Sequence, residues 1–205
     1  MAESDPSQAL AFLRRPAVHL CIDMQRMFGE DTEWKTPWMT RVLPVVERLC
    51  AHRPADTVFT RFMPPERPDA AEGAWSAYFG RWRDFCRDRI DPGLLDLMPP
   101  LQRFTPPAEV VNKPAYSPFE SSPLDEILKR RGAETLIVSG AETDVCVLSA
   151  IMSAIDRGYY VVVARDALCS SADETHDALM KLYEDRFGQQ LALTNSEAIL
   201  AMWRD

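Results

Sequence analysis

The feature that most constrains this chain is an alternation running through its second half. Runs that are apolar at almost every position take turns with segments that are apolar on one helical face. "ETLIVSG" (134–140) and "YYVVVARDA" (159–167) carry so few polar side chains that any strand they form must be covered on both faces. Between them, "VCVLSAIMSAIDRG" (145–158) has apolar residues at helical spacing and closes on Gly158. Such units predict a parallel sheet with helices on either side. Further strands are expected at 17–23, 56–62, 108–113 and 190–193. Helices are expected at 40–52, with Pro44 in the first turn, and at 122–132, with Ser122 as N-cap and Pro123 at the first helical position. Capping boxes at Ser171/Glu174 and Thr194/Glu197 announce two more. The fold class is α/β: a three-layer α/β/α sandwich around a mostly parallel, doubly wound central sheet.

The chain has 205 residues, 46% of them hydrophobic, enough for one sizeable core and a single domain over 1–205. From 63 to 107 the pattern breaks into prolines, arginines and aromatics, with Trp75, Tyr78, Trp82 and Phe85 at helical spacing. This reads as a short helix within a long excursion that covers the active site. The net charge of −8 offers no basic surface for nucleic acid or an anionic membrane, and a small-molecule substrate is expected instead. The amino-terminal stretch lacks a secretory pattern, and no run nears the roughly 18 apolar residues of a membrane span, so a cytoplasmic protein is expected. Five cysteines at irregular spacing, without C-x-x-C, suggest neither a disulfide framework nor a structural zinc site.

In open parallel sheets, ligands bind beyond the carboxyl ends of the strands. The residues at those ends are Asp23, Arg61, Lys113, the turn 141–146 and Asp166. Cys146 stands where a strand passes to a helix, and a helix N-terminus together with a nearby lysine favours the thiolate. Backbone N–H groups of the same turn could hold an oxyanion. Attack by a thiol on an amide also needs a group that takes the S–H proton and returns it to the leaving nitrogen. His19 lies in a strand, His52 at a helix end and His176 at a helix start, which leaves that work to Asp23. Each residue alone also has an ordinary reading: a buried small hydrophobe, a strand-end acid, a solvated lysine.

Together, "CIDMQRMF", "VVNKPAYSPFESSPLDEIL" and "LIVSGAETDVCVLSAIMSAIDRGYYVVVARDALCSS" resemble the isochorismatase-like cysteine hydrolases, among them nicotinamidases, N-carbamoylsarcosine amidases and ureidoacrylate and biuret hydrolases. The resemblance runs from Val18 to about Ile199 and is thinnest over 63–107. It implies the isochorismatase-like hydrolase fold, Asp23 as proton carrier, Lys113 as cation and Cys146 as nucleophile. It also implies a cis peptide between Ala141 and Glu142 that aims the backbone N–H groups of Glu142 and Cys146 at the oxyanion, and a homo-oligomer, dimer or tetramer. No cofactor is expected. No metal is expected either, because "TVFTRFMPPERPDAAEG" lacks the histidines of metal-binding nicotinamidases. The expected reaction is cleavage of a C–N bond in a small amide or ureide through a thioester. Two alternatives stand: vinyl ether hydrolysis of the isochorismatase type, favoured by "KPAYSPFESSPL", and a non-catalytic or redox-sensing role for an activated Cys146. Arg61 is the candidate anchor for a substrate carboxylate. Trp34, Trp38, Trp75, Tyr116 and Phe119 are candidate pocket residues, with Tyr78 and Trp82 also in reach, two or three of the seven being expected to line it. Cys169 is read as structural.

Overall fold

The computed structural model describes residues 6–204; the stretch Met1 to Asp5 and the last residue lie outside the described part. Six strands form one parallel sheet: β1 (Ala17–Ile22), β2 (Thr57–Phe62), β3 (Glu109–Lys113), β4 (Thr135–Ala141), β5 (Tyr160–Cys169) and β6 (Leu191–Thr194). Their order is β3-β2-β1-β4-β5-β6. After β1 the chain winds outward through β2 and β3, then returns to lay β4 on the other flank of β1. The seam between β1 and β4 is thus the switch point at which crevices open in such sheets.

Period-two alternation divides the strand side chains between two cores. Val18, Leu20 and Ile22 of β1 join Leu136 and Val138 of β4 and Val161 and Val163 of β5 on one face. That face is covered by α6 (Leu124–Arg130), α7 (Leu148–Asp156) and α8 (Asp173–Arg186). Cys21, Ile137, Val162 and Ala164 point the other way, toward α3 (Met39–His52), α9 (Ser196–Met202) and α1 (Pro6–Leu13). Helix α3 shows why these segments are helical: its buried residues Met39, Val42, Val46, Leu49 and Cys50 form one stripe. Helix α1 was not expected from the sequence.

Local corrections concern helix ends. Met39 opens α3, which puts Pro44 in the second turn, exposed, rather than in the first. Helix α6 starts at Leu124 with Pro123 as its N-cap residue, and the Ser122 hydroxyl accepts from the Leu124 N–H at 3.2 Å. Neither capping box forms. At α8 the N-cap residue is Ala172, and the Ser171 N–H donates to Glu142 instead. At α9 the cap is Asn195, which accepts from the Ala198 N–H at 2.8 Å, while Asp166 holds Ser196 through both its N–H and its hydroxyl.

The excursion is folded. It contains α4 (Ala74–Arg81), α5 (Pro99–Gln102) and several 3-10 turns around a small core of Phe62, Phe79, Phe85, Cys86, Ile90 and Leu95. Buried Gln25 ties it to the sheet. Its side-chain amide donates to the carbonyls of Phe62 and Leu95 at 3.1 and 2.9 Å and accepts from the Phe62 N–H at 2.6 Å. Between β1 and α3 lies the short α2 (Arg26–Gly29). No helix among the described residues is long and apolar enough to cross a membrane.

Candidate active site

Asp23 follows the last residue of β1 in a left-handed conformation, φ +47°, which turns the chain off the sheet and which an aspartate tolerates better than most residues. Thr60 of β2 fixes it twice: its hydroxyl accepts from the Asp23 N–H at 3.1 Å and donates to Oδ1 at 2.6 Å. Lys113, the last residue of β3, is fully buried, with Nζ 2.7 Å from Asp23 Oδ2. The same ammonium donates to the Ala115 carbonyl at 2.9 Å and reaches Cys146 Sγ at 3.4 Å. The structure thus brings Asp23, Lys113 and Cys146 together around one cation.

The segment bearing Cys146 departs from a plain strand-to-helix turn. A single π-helical turn, Thr143–Val147, comes between β4 and α7, and the Ala141–Glu142 peptide is cis. Polar side chains of the turn reach into the loop after β5. Thr143 donates to the Cys169 carbonyl at 3.1 Å and lies 2.9 Å from His176 Nδ1, and Asp144 accepts from Ser170 at 2.6 Å. Glu142 Oε1 accepts from Thr36 Oγ1 at 3.0 Å and the Ser171 N–H at 3.2 Å. These bonds set the height of Cys146 above the sheet.

Electrostatics correct one expectation. Burial pushes the Cys146 thiol well above its ordinary range and Asp23 adds to the push, and together they outweigh the pull of Lys113. The balance favours the neutral thiol at Cys146. Burial also works against the Lys113 ammonium, but Asp23 and Cys146 overcome it and hold the group above its ordinary value. Beside the sulfur, Lys113 is therefore kept as an ammonium, ion-paired with Asp23. Asp23 Oδ2 is ion-paired with Lys113 and accepts no hydrogen bond from the described residues.

Cys146 opens into a cavity of about 240 Å³. Four of the seven candidate rings line it, Trp34, Tyr78, Trp82 and Tyr116, more than the two or three expected, with Phe28 and Phe62 beside them. Burial, followed by Tyr116 and Cys146, pushes the Tyr78 phenol up to about 12. Arg61 is absent from the lining. Strand alternation turns it away from Thr60 and Phe62, to Asn112 at 3.0 Å and an ion pair with Asp96 at 3.3 Å. Trp38 packs on His176, Phe119 is buried with Tyr159 in the helix-covered core, and Trp75 backs Tyr116 from a neighbouring cleft. Sequence reasoning missed Thr60, Glu142 as a side chain, and Lys35 at the mouth; a threonine inside a strand gives no warning that it will hold a carboxylate. A larger cavity of about 740 Å³ lies at the amino ends of the strands, far from this chemistry, and is lined by Arg14, Arg15 and Arg131. Among the described residues no three His, Cys, Asp or Glu side chains gather as a metal site.

Comparison with known proteins gives this geometry its lineage. Ureidoacrylate amidohydrolase RutB of Methylobacterium radiotolerans is 36% identical over 99 residues, which cover 48% of this chain and only 37% of that protein. Nicotinamidase 3 of Arabidopsis thaliana is 28% identical over 180 residues, 86% of this chain and 81% of that one. Two solved structures share the fold. A cysteine hydrolase from Pseudomonas syringae superposes with a TM-score of 0.76 at 20% identity, covering 99% of this chain and 98% of the other. The N-carbamoylsarcosine amidase from Thermoplasma acidophilum gives 0.70 at 20% identity, over 88% and 96%. The model of the isochorismatase domain matches residues 17–195, nearly the whole sheet and its helices, and by that match the chain belongs to the isochorismatase family.

Proposed function

We propose that this protein hydrolyses a C–N bond in a small amide or ureide, with Cys146 as nucleophile, Asp23 as proton carrier and Lys113 as the cation that holds both. The observation that carries the reading is the buried Lys113 ammonium, 2.7 Å from Asp23 Oδ2 and 3.4 Å from Cys146 Sγ, the sulfur itself lining the cavity. The activities for which RutB and Nicotinamidase 3 are named, a ureidoacrylate and a nicotinamide amidohydrolysis, support the choice of bond.

In this reading Asp23 takes the Sγ proton as sulfur attacks the carbonyl carbon, and the C=O electron pair moves onto oxygen. Backbone N–H groups of Glu142 and Cys146 receive the oxyanion. Collapse breaks the C–N bond, and the nitrogen leaves as ammonia or an amine with the proton from Asp23. Water then adds to the thioester, giving a proton to Asp23, and the thiolate departs beside Lys113 and regains its proton. A neutral resting thiol suits this sequence, since the base is needed at the moment of attack.

The test is ammonia or amine release from a panel of small amides, ureides and carbamoyl amino acids. Cys146→Ala and Asp23→Asn are each expected to lower turnover by at least about a thousandfold with the fold intact. Asparagine is the appropriate replacement because it tolerates the left-handed backbone at this position. Ammonia release retained by Cys146→Ala would defeat the reading, and silence of both proteins across the panel would point instead to Asp23-dependent vinyl ether hydrolysis.

A further inference from the structure

The walls over Cys146 have an uneven chemistry. Six rings, those of Phe28, Trp34, Phe62, Tyr78, Trp82 and Tyr116, supply most of the lining, and its charged members are Glu33, Lys35 and Glu142. Glu33 and Lys35 are exposed at the mouth, and the Lys35 ammonium is paired with Asp31 at 3.3 Å. Glu142 is the half-buried one. Both of its described donors, Thr36 and the Ser171 N–H, bind the same oxygen, Oε1, so the carboxylate is held in place while Oε2 takes no donor among the described residues. Behind Cys146, outside the lining, Lys113 and Asp23 are ion-paired.

Aromatic faces are negative, and so is Glu142. A cation is attracted by both, whereas an anion would meet two repulsive walls and find Arg61 turned away on the other face of the sheet. We infer that the substrate carries a cation, an alkylammonium or quaternary ammonium group, at the end remote from the scissile bond. Glu142 is its counter-charge and the rings of Tyr78 and Tyr116 are its aromatic partners, since Trp82 already carries the Arg81 guanidinium 5.2 Å from its ring centroid and Trp34 is stacked on Phe85. The inference rests on the amide-hydrolase reading for the reacting end alone.

The test uses two amides of one shape that differ by a single charge set three methylenes from the carbonyl: 4-(trimethylammonio)butanamide and 5,5-dimethylhexanamide. Wild-type protein is expected to favour the cation in kcat/KM by at least about tenfold, and Cys146→Ala protein to bind it at least about tenfold more tightly by calorimetry. Glu142→Gln should shrink both ratios, and added salt should shrink them in the wild type. Turnover or binding of the neutral amide equal to that of the cation would overturn the cation site while leaving the hydrolase reading standing. The same holds if both ratios survive Glu142→Gln unchanged. Preferential cation binding without turnover of either compound would support the cation site and count against the hydrolase reading. The wild-type comparison needs no variant to fold.

Discussion

His19 is completely enclosed, with Nε2 2.7 Å from the Ser139 hydroxyl and Nδ1 3.4 Å from that of Thr57. Burial lowers its pKa from 6.5 to about 3. Between those values the unfolded chain binds a proton that the folded chain refuses, so stability is full above pH 6.5 and falls as the pH drops toward 3. From pH 6.5 to 5 the loss should be on the order of 2 kcal/mol, read as a falling denaturant midpoint that a His19→Gln variant shows less steeply. Cys146 answers to pH in the opposite range. Because its thiol is raised, alkylation by iodoacetamide should keep accelerating past pH 9, the ordinary thiol value; a plateau near neutrality would mean a preformed thiolate. The sequence showed which residues stand at strand ends, and so brought Asp23, Lys113 and Cys146 to one rim. It did not show the sign of the Cys146 shift, because desolvation depends on how much surrounds a sulfur, and no local pattern records that.

Among the elements, β4 carries the tightest constraint. Gly140 pairs with Ile22 across the β1–β4 seam at φ +113°, and a Cβ there would lie 2.1 Å from the Ile22 carbonyl oxygen. The obstruction is backbone on both sides and cannot be relieved by a rotamer change. Gly140→Ala is therefore expected to destabilise the fold by more than about 3 kcal/mol, measured by chemical denaturation, and to separate Asp23 from Cys146 in whatever protein remains folded. Strands and helices in the second half were legible because apolar periodicity spans whole elements. Their caps were not. Thr194 and Asn195 are adjacent and both able to cap, and the backbone path out of β6 decides for Asn195. Likewise Arg61 looked like a ligand anchor because it ends a strand, but the face it takes depends on register, and register put Thr60 beside Asp23 instead.

At the scale of the whole molecule, the excursion and the sheet meet through Gln25. Gln25→Leu would leave the buried Phe62 N–H without its acceptor and two carbonyls without their donor. A loss of about 3 kcal/mol is expected, with limited proteolysis cutting first within 63–107; cleavage beginning elsewhere would show that the excursion is held by its own core. This region was the least legible in sequence, since its rings pack on one another across turns instead of along a single helix: Trp34 stacks on Phe85 with ring centroids 3.9 Å apart. The meeting of Asp23, Lys113 and Cys146 has a consequence for the order of synthesis. Asp23, Lys113 and Cys146 follow or end three strands far apart in the chain, and β2 must be seated between β1 and β3 before the first two can meet. A growing polypeptide therefore carries Asp23 and Lys113 long before Cys146 emerges, and that thiol finds them only by packing onto an assembled sheet. The sulfur is enclosed in the same event that brings it to Lys113.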